Sequence, residues 1–162
     1  MIWIIIISVI IALDQIVKFV VIENIKLGGS ITIIKGFLYF THWRNTGAAW
    51  GIMQDGKYIL IPVSIILIVV MLIFMIRNND RLLRVAMSMI IGGALGNLID
   101  RVLRSGGVVD FLDFRFWGYH FPTFNVADSF IVIGTMILIF CVMFTHKSEK
   151  PLQEGDNESC KN

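Results

Sequence analysis

Two aspartates, Asp110 and Asp128, bracket a short aromatic stretch, VVDFLDFRFWGYHFPTFNVADSF, in a chain that is otherwise mostly apolar. A carboxylate at the edge of hydrocarbon is costly, so each is a candidate functional group on that ground alone. Two that converge would share a proton, because adjacent like charges resist joint ionisation. Such a pair is equipped for acid–base chemistry on water: the ionised member takes a proton from the water while the neutral one polarises a carbonyl. Spacing alone leaves Asp113 as a competitor of Asp110. It also leaves Asp128 open to a plainer role as a helix N-cap, with Asn125 as the alternative cap.

Whether the pair can meet depends on the elements that carry it. The 162 residues are 56% hydrophobic and 16% charged, against about 45–50% and roughly 25% in soluble domains. The apolar excess falls in four runs, at about residues 2–22, 58–76, 82–103 and 126–146, each long enough to span a bilayer. The first lacks a basic leader and a small-x-small cleavage site, so it is expected to be a retained span rather than a signal peptide. The second carries no charge, and Pro62 lies in its first turn or so, where a missing N–H matters little. The third is interrupted by Arg84, Asn97, Asp100 and Arg101, and Gly92 and Gly96 give it a small-xxx-small stripe that suits close helix packing. The segments SITIIK and FLYFTHWRN, separated at Gly36, are β-rich and can pair. The glycines of TGAAWGIM suit tight turns. The expected fold is therefore a mainly α membrane protein, with four transmembrane helices and a small extracytoplasmic β-sheet at about 27–57 between the first and second. Residues 1–147 form one integral membrane domain, and the polar tail 148–162 is expected to be disordered.

Arg77, Arg81 and Arg84 crowd the short loop between the second and third spans, which places that loop and both termini in the cytoplasm. His146, Lys147 and Lys150, just after the last span, agree. Loops 23–57 and 104–125 then face outward. On this topology Asp14 and Lys18, four apart on one helix face, lie in the outer half of the first span. Asn97, Asp100 and Arg101 end the third span, Asn125 and Asp128 begin the fourth, and Asp110 is in the loop between them. Polar groups on three helices and one loop thus gather near the outer face.

Plainer readings stand beside this one. Asp14 and Lys18 form an intrahelical pair that eases insertion. Asp100 and Arg101 snorkel to the interface. Asp113 is a solvated loop residue, His42 and His120 are surface groups, and Trp43, Trp50, Trp117 and Tyr119 form an interfacial belt. A net charge of +2 is too small to argue for a nucleic-acid partner. Cys141 is read as a small buried hydrophobe and Cys160 as a solvated thiol, with no disulfide between them. His42, His120 and His146 have no metal-binding spacing, so no metal site is expected.

Five segments carry a resemblance: DQIVK at 14–18, RNTGAAWG at 44–51, GGALGNLIDR at 92–101, VVDF at 108–111 and FNVADS at 124–129. In order and spacing, over about residues 10–145, the chain resembles the lipoprotein signal peptidase (signal peptidase II) family of bacterial membrane aspartic proteases. The resemblance implies that Asp110 and Asp128 are the catalytic pair, and it selects Asp110 over Asp113. It implies that Asp14, Lys18, Asn45, Gly47, Asn97, Arg101 and Asn125 line or support the site, with no metal or cofactor. It also implies four helices with an outer β-cradle in the bacterial cytoplasmic membrane. The implied substrate is a prolipoprotein whose cysteine already carries diacylglycerol, cut on the N-terminal side of that cysteine; membrane lipids are further partners, and a monomer is expected. In that mechanism the carboxylates lie about 3 Å apart, and Asn97, Asn125 and Arg101 hold substrate carbonyls and orient the carboxylates. Two rivals remain. A small proton- or ion-coupled carrier using Asp14, Lys18 and Arg101 predicts polar groups throughout the membrane depth, and a scaffold built on the glycine stripe predicts no dependence on either aspartate.

Overall fold

The computed structural model describes residues 2–47 and 56–145. Four helices, α1 (Ile2–Asn24), α2 (Lys57–Arg77), α3 (Arg81–Leu103) and α4 (Val126–Thr145), coincide with the four apolar runs, and all four are long and apolar enough to cross a membrane. Helix α3 is the hub and packs against α1, α2 and α4. It has the lowest mean hydropathy of the four, 1.7, and the largest buried share. The two go together, because a helix surrounded by other helices has little contact with lipid. Asp80 caps α3, accepting a hydrogen bond from the Leu83 N–H at 2.8 Å.

The glycine stripe is a packing device. A Cβ at Gly96 would stand 2.7 Å from Asp14 Oδ2 of α1, and one at Gly93 would run into the Ala127 carbonyl of α4. Only glycine lets α3 approach both neighbours at that depth. The approach brings polar groups of α1, α3 and α4 within hydrogen-bonding reach.

The sheet is larger than the sequence suggested. The two expected strands, β1 (Ser30–Ile34) and β2 (Leu38–Asn45), do pair as an antiparallel hairpin. The stretch read as an aromatic loop, however, is itself a strand, β3 (Val108–Phe116), turning into a short β4 (Tyr119–His120), and the sheet order is β1-β2-β3-β4. Val109 and Phe111 alternate along β3 and pack with Val21 of α1 and Ile25 just beyond it, while Asp110 between them faces the other way. The sheet therefore sits on the end of α1 by an apolar face that belongs to two distant parts of the chain. At the β3–β4 turn Trp117 (φ 43°) and Gly118 (φ 86°) are both left-handed, as a two-residue hairpin requires. The Trp117 side chain is fully exposed there.

Three surface assignments are overturned by this packing. His42 is only 5% exposed, and its Nδ1 lies 2.7 Å from the Ile25 carbonyl at the end of α1. Asp113 is buried on β3 rather than solvated in a loop. Asp100 does not snorkel: it is 0% exposed. Trp43, Trp117 and Tyr119 are exposed, as an interfacial belt requires. The TGAAWGIM stretch beyond Gly47, including Trp50, and everything from His146 on, including Lys147, Lys150, Cys160 and the tail, lie outside the described residues.

Candidate active site

The first turn of α4 sets one side of the site. Asn125 stands at the N-cap, where its Oδ1 accepts from the Asp128 N–H at 3.0 Å and its own N–H donates to Asp128 Oδ2 at 3.2 Å. This is a reciprocal capping box, so both candidate caps are used. The Ala127 N–H donates to Asp14 Oδ1 of α1 at 2.9 Å. Three of the early N–H groups of α4 are thus satisfied, and Asp128 is held at the positive end of the helix dipole. Its second oxygen, Oδ1, accepts from Asn97 Nδ2 of α3 at 2.7 Å.

Asp110 is delivered by β3, opposite Trp43 in the register with β2. Its Oδ1 accepts from Asn125 Nδ2 at 2.7 Å and its Oδ2 from Asn45 Nδ2 at 3.1 Å. The strand is tied down one residue earlier, where the Val109 N–H donates to Asp100 Oδ2 at 3.1 Å.

Hydrogen-bond counting assigns the amides. Asn97 Oδ1 accepts from Lys18 Nζ at 3.0 Å and from Asn125 Nδ2 at 3.2 Å, so its Nδ2 is the end turned to Asp128. Both Nδ2 hydrogens of Asn125 are engaged, one with Asp110 and one with Asn97. A bridge Asp110–Asn125–Asn97–Asp128 therefore joins the two carboxylates. The expectation that both Asn97 and Asn125 hold substrate carbonyls is met only in part. Asn125 has no side-chain donor left for a substrate carbonyl, and its task is to orient; Asn97 orients Asp128 with one Nδ2 hydrogen and lines the cavity with the other uncommitted.

Behind the bridge lies a sealed charge cluster. Lys18 Nζ is 2.8 Å from Asp14 Oδ2 and 3.0 Å from Asp100 Oδ2, and all three side chains are 0% exposed. Asp14 and Lys18 are thus more than an intrahelical pair. Gln15 and Arg104, which the sequence reading passed over, complete the cluster. Gln15 Nε2 donates to Asp100 Oδ1 at 3.1 Å, and Arg104 donates to Asp100 Oδ1 at 2.9 Å and to Gln15 Oε1 at 3.2 Å. The i,i+4 spacing of Asp100 and Arg104 was the one available signal for them.

Asp110, Asp128, Asn45, Asn97 and Arg101 line one cavity of about 510 Å³, closed on its other side by Phe121, Phe124, Ile131 and Val132. Arg101 reaches across it to the Gly47 carbonyl at 3.1 Å. Asp113 takes no part. It is bound by Arg115 at 2.6 Å and Thr41 at 3.1 Å on the sheet. Burial pushes its carboxyl up, but these donors outweigh that and hold it below the usual carboxylate range. Asp110 behaves oppositely: burial first, and then the charge of Asp128, push its carboxyl up to about 7 against the donors Asn45 and Asn125. Near neutral pH the pair can therefore carry a single proton, the state required to activate water and polarise a carbonyl together. Among the described residues no three His, Cys, Asp or Glu side chains converge in a way that would hold a metal ion.

A family model described as signal peptidase (SPase) II matches residues 6–144. A lipoprotein signal peptidase of Bacillus pumilus (strain SAFR-032) is 40% identical over 144 residues, covering 88% of this chain and 92% of that protein. Two solved bacterial membrane enzymes, both determined by the in meso method, share the fold. One has a TM-score of 0.84 at 37% identity, covering 93% of this chain and 94% of its own. The other has a TM-score of 0.79 at 38% identity, covering 88% and 92%.

Proposed function

Because the chain belongs to the signal peptidase (SPase) II family, and so is a multi-pass membrane protease, we propose that it removes the signal peptide from diacylglyceryl-modified prolipoproteins by cutting on the N-terminal side of the lipidated cysteine. Asp110 and Asp128 are the catalytic pair. The observation that carries this reading is the pair itself: two carboxylates, one from a strand and one from a helix, bridged by Asn125 and Asn97, on the wall of one cavity.

The ionised member of the pair takes a proton from a water molecule, which attacks the scissile carbonyl. The protonated member donates to the carbonyl oxygen as negative charge develops there. Collapse of the tetrahedral intermediate breaks the C–N bond, and the pair returns a proton to the leaving amine. Arg101, which lines the same cavity, and the second Nδ2 hydrogen of Asn97 are the donors for a substrate carbonyl. Ile131, Val132 and Phe121 form an apolar wall beside the carboxylates, and Val132 is 61% exposed toward what would be lipid. That arrangement suits a substrate whose acyl chains stay in the bilayer while its peptide bond reaches the aspartates. The buried Asp14–Lys18–Asp100 cluster holds this machinery rigid. Because its groups are sealed and mutually bonded, they offer a carrier no exposed relay. The arginines at the α2–α3 turn support an orientation with that turn and both termini in the cytoplasm and the site near the outer face. One domain, acting as a monomer, contains the whole site.

The test is to incubate purified protein with a diacylglyceryl-modified precursor and to follow release of the signal peptide. Asp128→Asn is expected to abolish release while the protein still inserts and folds. Substantial cleavage by that variant overturns the pair.

A further inference from the structure

The register that turns Asn45 toward the cavity turns Arg44 the other way, opposite Val109 on the face of the sheet that meets α1. Arg44 lies along the α3–β3 connection, with its Cδ 3.5 Å and its Nε 3.8 Å from where a Cβ on Gly106 would be. Its Nη1 is buried and has no hydrogen-bond partner among the described residues, and an unpaired buried guanidinium N–H is expensive. The carboxylate whose field it feels is Asp100, and that carboxylate is already full. Its Oδ1 accepts from Gln15 and Arg104, and its Oδ2 from Lys18 and Val109. Arg104 stands close enough for its charge, after burial, to disfavour the charged form of Arg44, and its side chain is 25% exposed. Three cations, Lys18, Arg44 and Arg104, thus meet two carboxylates, Asp14 and Asp100. The excess positive charge lies at the C-terminal end of α3, with Ser105 exposed beside it.

We propose that Arg44 and Arg104 bind the phosphate of an anionic membrane phospholipid at the end of the bundle that carries the sheet. Planar guanidinium groups suit phosphate oxygens. The site lies at headgroup level for a bilayer that α3 crosses, and Val102 and Leu103 of its last turn are 53% and 77% exposed, an apolar path for the acyl chains. A lipid phosphate held there offsets the excess positive charge shared by Arg44 and Arg104 and ties β2 to the end of α3. The inference rests on the chain spanning a bilayer and is independent of the catalytic pair.

The full-length protein is reconstituted in nanodiscs of mixed phosphatidylglycerol and phosphatidylcholine, and the lipids it retains are counted by native mass spectrometry. The wild type is expected to retain phosphatidylglycerol selectively, and Arg44→Gln to lower that retention about fivefold. Lys35→Gln makes the same change in net charge on an exposed turn at the same end of the molecule and is expected to leave retention unchanged. Gly106→Asp has room for its Cβ and places a carboxylate beside Arg44. It is expected to displace the lipid and to raise the melting temperature in lipid-free detergent, so the test survives if Arg44→Gln fails to fold. Equal losses in Arg44→Gln and Lys35→Gln, or full retention in Gly106→Asp, overturn the site. Stabilisation of wild type by inorganic phosphate, lost in Arg44→Gln while lipid retention is unaffected, overturns the lipid in favour of a soluble anion.

Discussion

Replacing Asn45 by alanine is expected to move the alkaline limb of the cleavage profile upward by about one to two pH units. In the proposed mechanism the pair works with one proton, which it would lose near the value of about 7 that burial and Asp128 impose on Asp110. Asn45 opposes that rise by donating to Asp110 Oδ2 at 3.1 Å, a hydrogen bond that favours the ionised form. A buried hydrogen bond to a charged group contributes about 1.5–3 kcal/mol, and one pKa unit corresponds to about 1.36 kcal/mol. Removing it therefore makes the last proton harder to lose by about one to two units, and the variant keeps activity at pH values where the wild type fades. The assay is kcat/KM for a lipid-modified precursor between pH 5 and pH 10 in one detergent, with folding of the variant checked by circular dichroism. An alkaline limb that stays in place, or moves downward, refutes the reasoning, because it means that either Asp110 is not the group titrating or Asn45 does not support its ionised form.

The same carboxyl makes a prediction about stability. The pKa of Asp110 rises on folding from 3.8 to about 7, so its contribution is fully present below 3.8 and is lost as the pH rises toward 7, a loss of about 4 kcal/mol. Unfolding in detergent should show Asp110→Asn losing less stability than the wild type between pH 4 and pH 8, and parallel slopes would contradict the raised value. Lys18→Met leaves Asp14 buried without a cation and Asp100 with Arg104 alone, and is expected to lower stability by about 3–5 kcal/mol, part of which returns in the double variant with Asp14→Asn; an unchanged melting temperature argues against the sealed cluster. Gly93→Ala drives a methyl into the Ala127 carbonyl and should destabilise by about 1–3 kcal/mol. It should also slow cleavage, because Ala127 adjoins Asp128, and wild-type melting and turnover would exclude so close an approach.

The four helices were legible in the sequence because a bilayer demands about 20 apolar residues per span and each run met that demand almost to the residue. Asp128, Asn125, Asn97 and Arg101 could likewise be placed at one end of the bundle from depth alone. The β1–β2 hairpin was legible from its own β-rich segments. Its partner β3 was not, since VVDFLDFRF pairs with residues about seventy positions earlier and no local pattern records that partner. The choice between Asp110 and Asp113 has the same origin. Three residues apart on one strand, they fall on opposite faces, and only the docking of the sheet on α1 decides which one meets Asn125 and the cavity and which one is bound by Arg115. Burial of His42 and Asp100, and the orientation of the Asn97 and Asn125 amides, were also decided by tertiary contact. Composition determines that a chain must enter the membrane and roughly where it crosses. Which polar groups are then stripped of water, and which partners they find, depends on helices packed closely enough for Gly93 and Gly96 to be needed, and that closeness exists only in the folded molecule.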